Sequence, residues 1–68
     1  MEILFTKEDF EIFIQDYFDE LNKFKIEVRH EYDKAINMIR VILKGDKSYL
    51  NNYRFSKDIE NNYNGSIA

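Results

Sequence analysis

Sixty-eight residues with no cysteine, thirteen acidic and ten basic side chains and a net charge of −3 exclude disulfide staples and thiolate metal sites. A chain this short buries only about 60% of the surface its unfolded form exposes, so stability must come from apolar packing or association. The 44% hydrophobic and 16% aromatic content suits a folded domain rather than a disordered one, and no run reaches the ~18 apolar residues of a membrane span.

The opening residues, MEILFTKED, carry an acid at position 2 and no basic region, unlike a secretory signal, and the expectation is a cytoplasmic protein. The sequon Asn64-Gly65-Ser66 then reads as accidental. Residues 2–4, EIL, are a candidate for a short strand.

The clearest element is a helix over about residues 6–23. Thr6 is placed to cap its first turn, with Asp9 three residues on as the capping-box acid and Phe5 and Phe10 as a hydrophobic staple. Phe10, Phe13, Ile14, Tyr17, Phe18 and Leu21 recur at i, i+3, i+4, i+7, i+8 and i+11, which gathers them into one stripe. Glu8, Glu11, Gln15, Asp16, Asp19 and Lys23 occupy the opposite arc, with Ile12 the one large apolar residue there.

After Lys23 the period changes to two. Residues 24–31 set Phe24, Ile26, Val28 and His30 against Lys25, Glu27, Arg29 and Glu31, a strand pattern. Residues 32–35 are read as a turn. Residues 36–44, INMIRVILK, are apolar on both faces and rich in Ile and Val, which favours a central strand. A turn at Gly45-Asp46 leads to a third strand over 49–55. Residues 56–63 suggest a short helix capped by Ser56, and 64–68 a frayed tail. The predicted architecture is α+β: one amphipathic N-terminal helix on a three-stranded antiparallel meander, with a short C-terminal helix, all within one domain.

Catalytic constellations are missing. The only histidine, His30, lies in a strand pattern, and the serines at 48, 56 and 66 lie in turns or the tail with no nucleophile-elbow context. Two glycines, Gly45 and Gly65, make no phosphate loop. Glu27 and Glu31 point away from His30 in a strand, which argues against a shared metal ion. The chain is therefore read as a non-enzyme with no cofactor and no metal. Basic residues and tyrosines do interleave between 25 and 57, but acids are dispersed among them and the net charge is negative, so direct binding of nucleic acid is disfavoured.

Charge is segregated along the chain. Residues 1–24 carry seven acids and two lysines, whereas residues 25–68 carry eight basic and six acidic residues. Acids on an exposed helix are often only a solvated face, and Glu8 and Asp9 also suit the helix dipole. The functional reading is a partner-binding strip of Glu8, Glu11, Ile12, Asp16, Asp19 and Glu20, facing a host protein with a basic surface. If Ile39, Val41 and Leu43 face the helix, Met38 and Ile42 face away, and they are a candidate dimer face unless a terminal segment covers them.

Ile, Asn, Lys, Phe and Tyr make up half the chain while Ala occurs twice, a bias towards A+T-rich codons that points to a low-GC bacterium, its phages or plasmids, or an archaeal virus, and small acidic proteins are common products of phages and mobile elements. The expected function is a small inhibitor or modulator of a host protein, in its most specific form a nucleic-acid mimic acting on a defence nuclease complex. A toxin-neutralising or immunity protein and a homodimeric regulatory module are the alternatives.

Overall fold

The computed structural model describes residues 1–68. The chain runs β1 (Glu2–Phe5), α1 (Lys7–Lys23), β2 (Glu27–Asp33), β3 (Met38–Lys44), α2 (Lys47–Leu50), α3 (Tyr53–Asn62) and β4 (Ser66–Ile67). All strands pair antiparallel in one sheet of order β2-β3-β1-β4. The fold is α+β, but the sheet has four strands where three were expected. β1 lies inside it, between β3 and β4.

α1 begins where the sequence placed it. The Thr6 hydroxyl oxygen accepts from the Asp9 backbone N–H (3.2 Å) and its O–H donates to Asp9 Oδ2 (2.9 Å). The expected staple is replaced by two other contacts. Phe5 stacks on Phe13 (centroids 4.9 Å apart), and Phe10 tilts over His30 (4.9 Å). β1 enters the helix from within the sheet, so Phe5 points into the core beneath Phe13, while Phe10 leans towards β2.

The helix ends in a Schellman turn. Ile26 N–H donates to the Leu21 carbonyl (2.9 Å) and Lys25 N–H to the Asn22 carbonyl (3.1 Å), with Lys25 in the left-handed region at φ 55°. Leu21 and Ile26, the pair that accompanies such a turn, are both buried. This turn takes the residues 24–26 that alternation had given to a strand, and β2 starts at Glu27 instead. It extends to Asp33, and a four-residue turn through Asn37 (φ 55°) returns the chain to β3.

Residues 49–55 are not a strand. The Asp46 carboxylate accepts from Ser48 N–H (2.7 Å) to cap α2, and Asn52 Oδ1 accepts from Arg54 N–H (2.9 Å) and Phe55 N–H (3.4 Å) to cap α3. Satisfying these end groups, and burying Leu50, Phe55 and Ile59 together, outweighs the two-residue alternation. Ser56 lies inside α3 rather than capping it.

Nor is the tail frayed. The Ile59 carbonyl accepts from both Tyr63 N–H (3.3 Å) and Gly65 N–H (2.9 Å), and Asn64 takes the left-handed conformation. Gly65 is buried so closely that a Cβ there would meet Ile59 Cγ2 at 2.5 Å, Phe5 at 2.8 Å and Ile3 at 2.9 Å. β4 then pairs with Ile3 and Leu4, and Ala68 N–H reaches the Glu2 carbonyl (3.0 Å).

The helices cover one face of the sheet. Ile3, Phe5, Ile39, Val41 and Leu43 point into it and join Phe13, Leu21, Ile26, Leu50, Phe55 and Ile59 in a single core. On the outer face Arg40 meets Asp33 (3.0 Å), Glu2 (3.6 Å) and Glu31 (3.6 Å). No helix is long and apolar enough to cross a membrane.

Candidate protein-binding surface

α1 presents three sides with different chemistry. Its outward side carries Glu8, Glu11 and Asp19, all exposed, with Ile12 half exposed among them. None of the three carboxylates enters a salt bridge within the chain, although it has ten basic residues. From Glu8 to Asp19 the strip runs about 16 Å at ~1.5 Å per residue.

The side of α1 facing α2 and α3 is closed by aromatic rings and phenols. Phe13 packs against Tyr17 (5.0 Å), Phe55 (6.5 Å) and Tyr63 (5.6 Å). Tyr17 donates to Asp58, Tyr49 donates to Glu20, and Tyr63 donates to Asp16 (2.8 Å). Two of the predicted partner-binding acids, Asp16 and Glu20, thus hold phenols of the following helices while remaining exposed. They flank the unpaired strip rather than sit within it.

These bonds act on the phenols. Burial, then the hydrogen bond to Asp58, raises Tyr17 far above the ordinary tyrosine value of 10.0, and burial with Glu20 raises Tyr49 likewise. Tyr63 is pushed up to about 12, chiefly by its bond to Asp16. In each case the phenolate would lose a donor bond and face a carboxylate. Nothing local in the sequence marks these pairs, because each joins α1 to a residue far along the chain.

The third side of α1 borders the edge strand β2 and is open. Phe18, assigned to the core by its spacing, is 59% exposed, and Phe10 and Ile14 are half-buried. With Leu21, Asn22, Ile26, Val28 and His30 they line a groove of about 370 Å³. The stripe was read correctly as a period, but it is wider than the core. No element of the chain reaches over its β2 side.

On the sheet, Met38 and Ile42 do point outward, together with Leu4, and all three are half-buried. Neither terminal segment folds over them, since both ends of the chain are strands of the sheet. Glu27 and Glu31 fall on that outer face and His30 on the inner one, as alternation requires.

No family model, curated protein or solved structure matches this chain.

Proposed function

We propose that this chain is a non-catalytic protein-binding module whose acidic helix face meets a basic surface on its target. The observation that carries the reading is the unpaired state of Glu8, Glu11 and Asp19. Carboxylates left without internal partners along ~16 Å of a capped helix form a strip of one sign that draws a cationic groove and sets partner choice. Ile12 supplies an apolar contact within the strip, and Asp16 and Glu20 extend it on one flank. A groove built for a phosphate backbone is the kind of target that fits. The most specific form of this reading is an inhibitor encoded by a phage or mobile element, acting on a defence nuclease complex in the host cytoplasm. A toxin-neutralising role would use the same surface. A self-associating module joined through Met38 and Ile42 has the open outer face in its favour, but Arg40 and its carboxylates divide that face between the two side chains.

The test is capture of a target from a host lysate, followed by reversal of Glu8, Glu11 and Asp19 to lysine. Asp16 and Glu20 are left in place because they hold tyrosines. The parent should associate more slowly as salt rises, since exposed charges are screened over about 8 Å at physiological ionic strength. The reversed variant should bind weakly and with little salt dependence, and nucleic acid should compete with the parent. Equal binding by a folded reversed variant at low salt would end this reading.

A further inference from the structure

We propose that two copies of this chain join through the free edge of β2, antiparallel about His30, into one continuous eight-stranded sheet. The proposal is independent of the acidic helix face, which it leaves uncovered.

β2 is an unprotected edge. It is seven residues long with β3 on one side and no strand on the other, whereas the opposite edge is the two-residue β4. Its register with β3 runs unbroken from Glu27–Lys44 to Asp33–Met38, so no bulge twists it away. It holds neither proline nor lysine, the residues that commonly blunt an edge. Such a strand presents a row of backbone donors and acceptors to any chain that can match them.

The side chains choose a second copy. Val28, His30 and Tyr32 face the helix side, and Glu27, Arg29, Glu31 and Asp33 the outer side. A two-fold pairing that keeps these faces together must be centred on a residue. Centred on Arg29, it opposes two arginines and sets Glu27 against Glu31. Centred on Glu31, it opposes two glutamates and carries Val28 beyond the strand to Lys34. Centred on His30, it sets Arg29 against the second copy's Glu31 twice, and Val28 against its Tyr32 twice. Opposite-charge and aromatic–aliphatic cross-strand pairs each favour pairing. The unfavourable pairing, Glu27 against Asp33, also occurs twice, but it falls at the strand ends, where Arg29 already meets Glu27 (3.1 Å) and Arg40 meets Asp33 (3.0 Å).

The same register uses the exposed apolar surface. Tyr32 is 53% exposed and Val28 only half-buried. The groove of Phe10, Phe18 and Val28 runs along this edge, so pairing merges two half-troughs across the dyad.

The test is sedimentation or light scattering with paired charge variants. The parent should show twice the 8.3 kDa chain mass, returning to 8.3 kDa on dilution. Arg29→Glu alone and Glu31→Arg alone each turn both cross-strand pairs repulsive, and each should weaken association by about tenfold or more. Mixed one to one, the two variants are complementary at both pairs and should regain the doubled mass as a heterodimer. Met38→Lys with Ile42→Lys should leave the dimer intact. A parent that stays at 8.3 kDa at high concentration, single variants that still dimerise, or a mixture that does not associate would each overturn the proposal. So would a folded Met38/Ile42 variant that loses the dimer. Should either charge variant fail to fold, hydrogen exchange decides with the parent alone. Exchange across residues 27–33 should slow as concentration rises, and no change would refute the edge pairing.

Discussion

The two sides of α1 carry the same kind of residue and meet opposite fates. Towards α2 and α3, Phe13 is fully buried among four rings, and three phenol–carboxylate bonds lock the helices together. Towards β2, Phe10 and Ile14 are half-covered and Phe18 is open. The cause is where the later elements pack. The residues after β3 form α2, α3 and β4, and α3 lies against β4 at the far edge of the sheet from β2. None of these elements covers the β2 half. A small domain can finish one side of its longest helix and leave the other unfinished, and the unfinished side is where association has most to gain.

The sharpest way to break this comparison is a pair of truncations. Phe13→Ala should cost about 3–5 kcal/mol, a large part of a small domain's total stability, and leave a chain with no cooperative thermal transition. Phe18→Ala should change the stability of the single chain by less than about 0.5 kcal/mol. Similar losses at the two sites would mean that the sides are not different.

Alkaline unfolding sharpens the closed side alone. The phenols of Tyr17, Tyr49 and Tyr63 ionise in the folded chain above the 10.0 of an ordinary tyrosine. Between those values the unfolded chain has released protons that the folded chain retains. The stability they add is therefore complete below pH 10 and lost as pH climbs towards about 12 and beyond. Melting temperature should fall through that window. Tyr17→Phe, Tyr49→Phe and Tyr63→Phe combined should flatten the fall, and an unchanged slope would show that the three bonds do not couple to folding.

The smallest expected effect concerns the join between the two sides. Lys25 holds a left-handed conformation that costs a non-glycine residue roughly 1 kcal/mol. Lys25→Gly relieves that strain but frees the unfolded chain, for a net gain of about 0.5 kcal/mol in chemical denaturation. A loss instead would mean that the lysine side chain contributes more than the strain costs.

How much of this was legible in the sequence follows from the range of the forces involved. α1 was, because Thr6, Asp9 and a stripe at helical spacing are local signals. β3 was, because INMIRVILK is apolar on both faces. β2 was displaced by the turn at Phe24–Ile26, which has no glycine to announce it. The strand expected at 49–55 gave way because Asp46 and Asn52 are good caps, a cue present in the sequence but outweighed by alternation. The ordered end could not be read at all, since Gly65 is needed only where Ile3, Phe5 and Ile59 converge. For the surface, helical spacing gave the outward acids correctly. It could not show that Asp16 and Glu20 take phenols from residues 63 and 49.

The interior position of β1 sets the order in which the fold can be completed during synthesis. β1 emerges first, yet it pairs with residues 39–42 on one side and 66–67 on the other. α1 and the β2–β3 hairpin have local partners and can form while the chain is still growing. β1 must wait for β3 on one side and for residues 66–67 on the other before both of its edges are paired. Such distant closure slows folding relative to chain length and lengthens the time that apolar strands stay unpaired. The inner part of the sheet is thus closed by contacts between residues far apart along the chain.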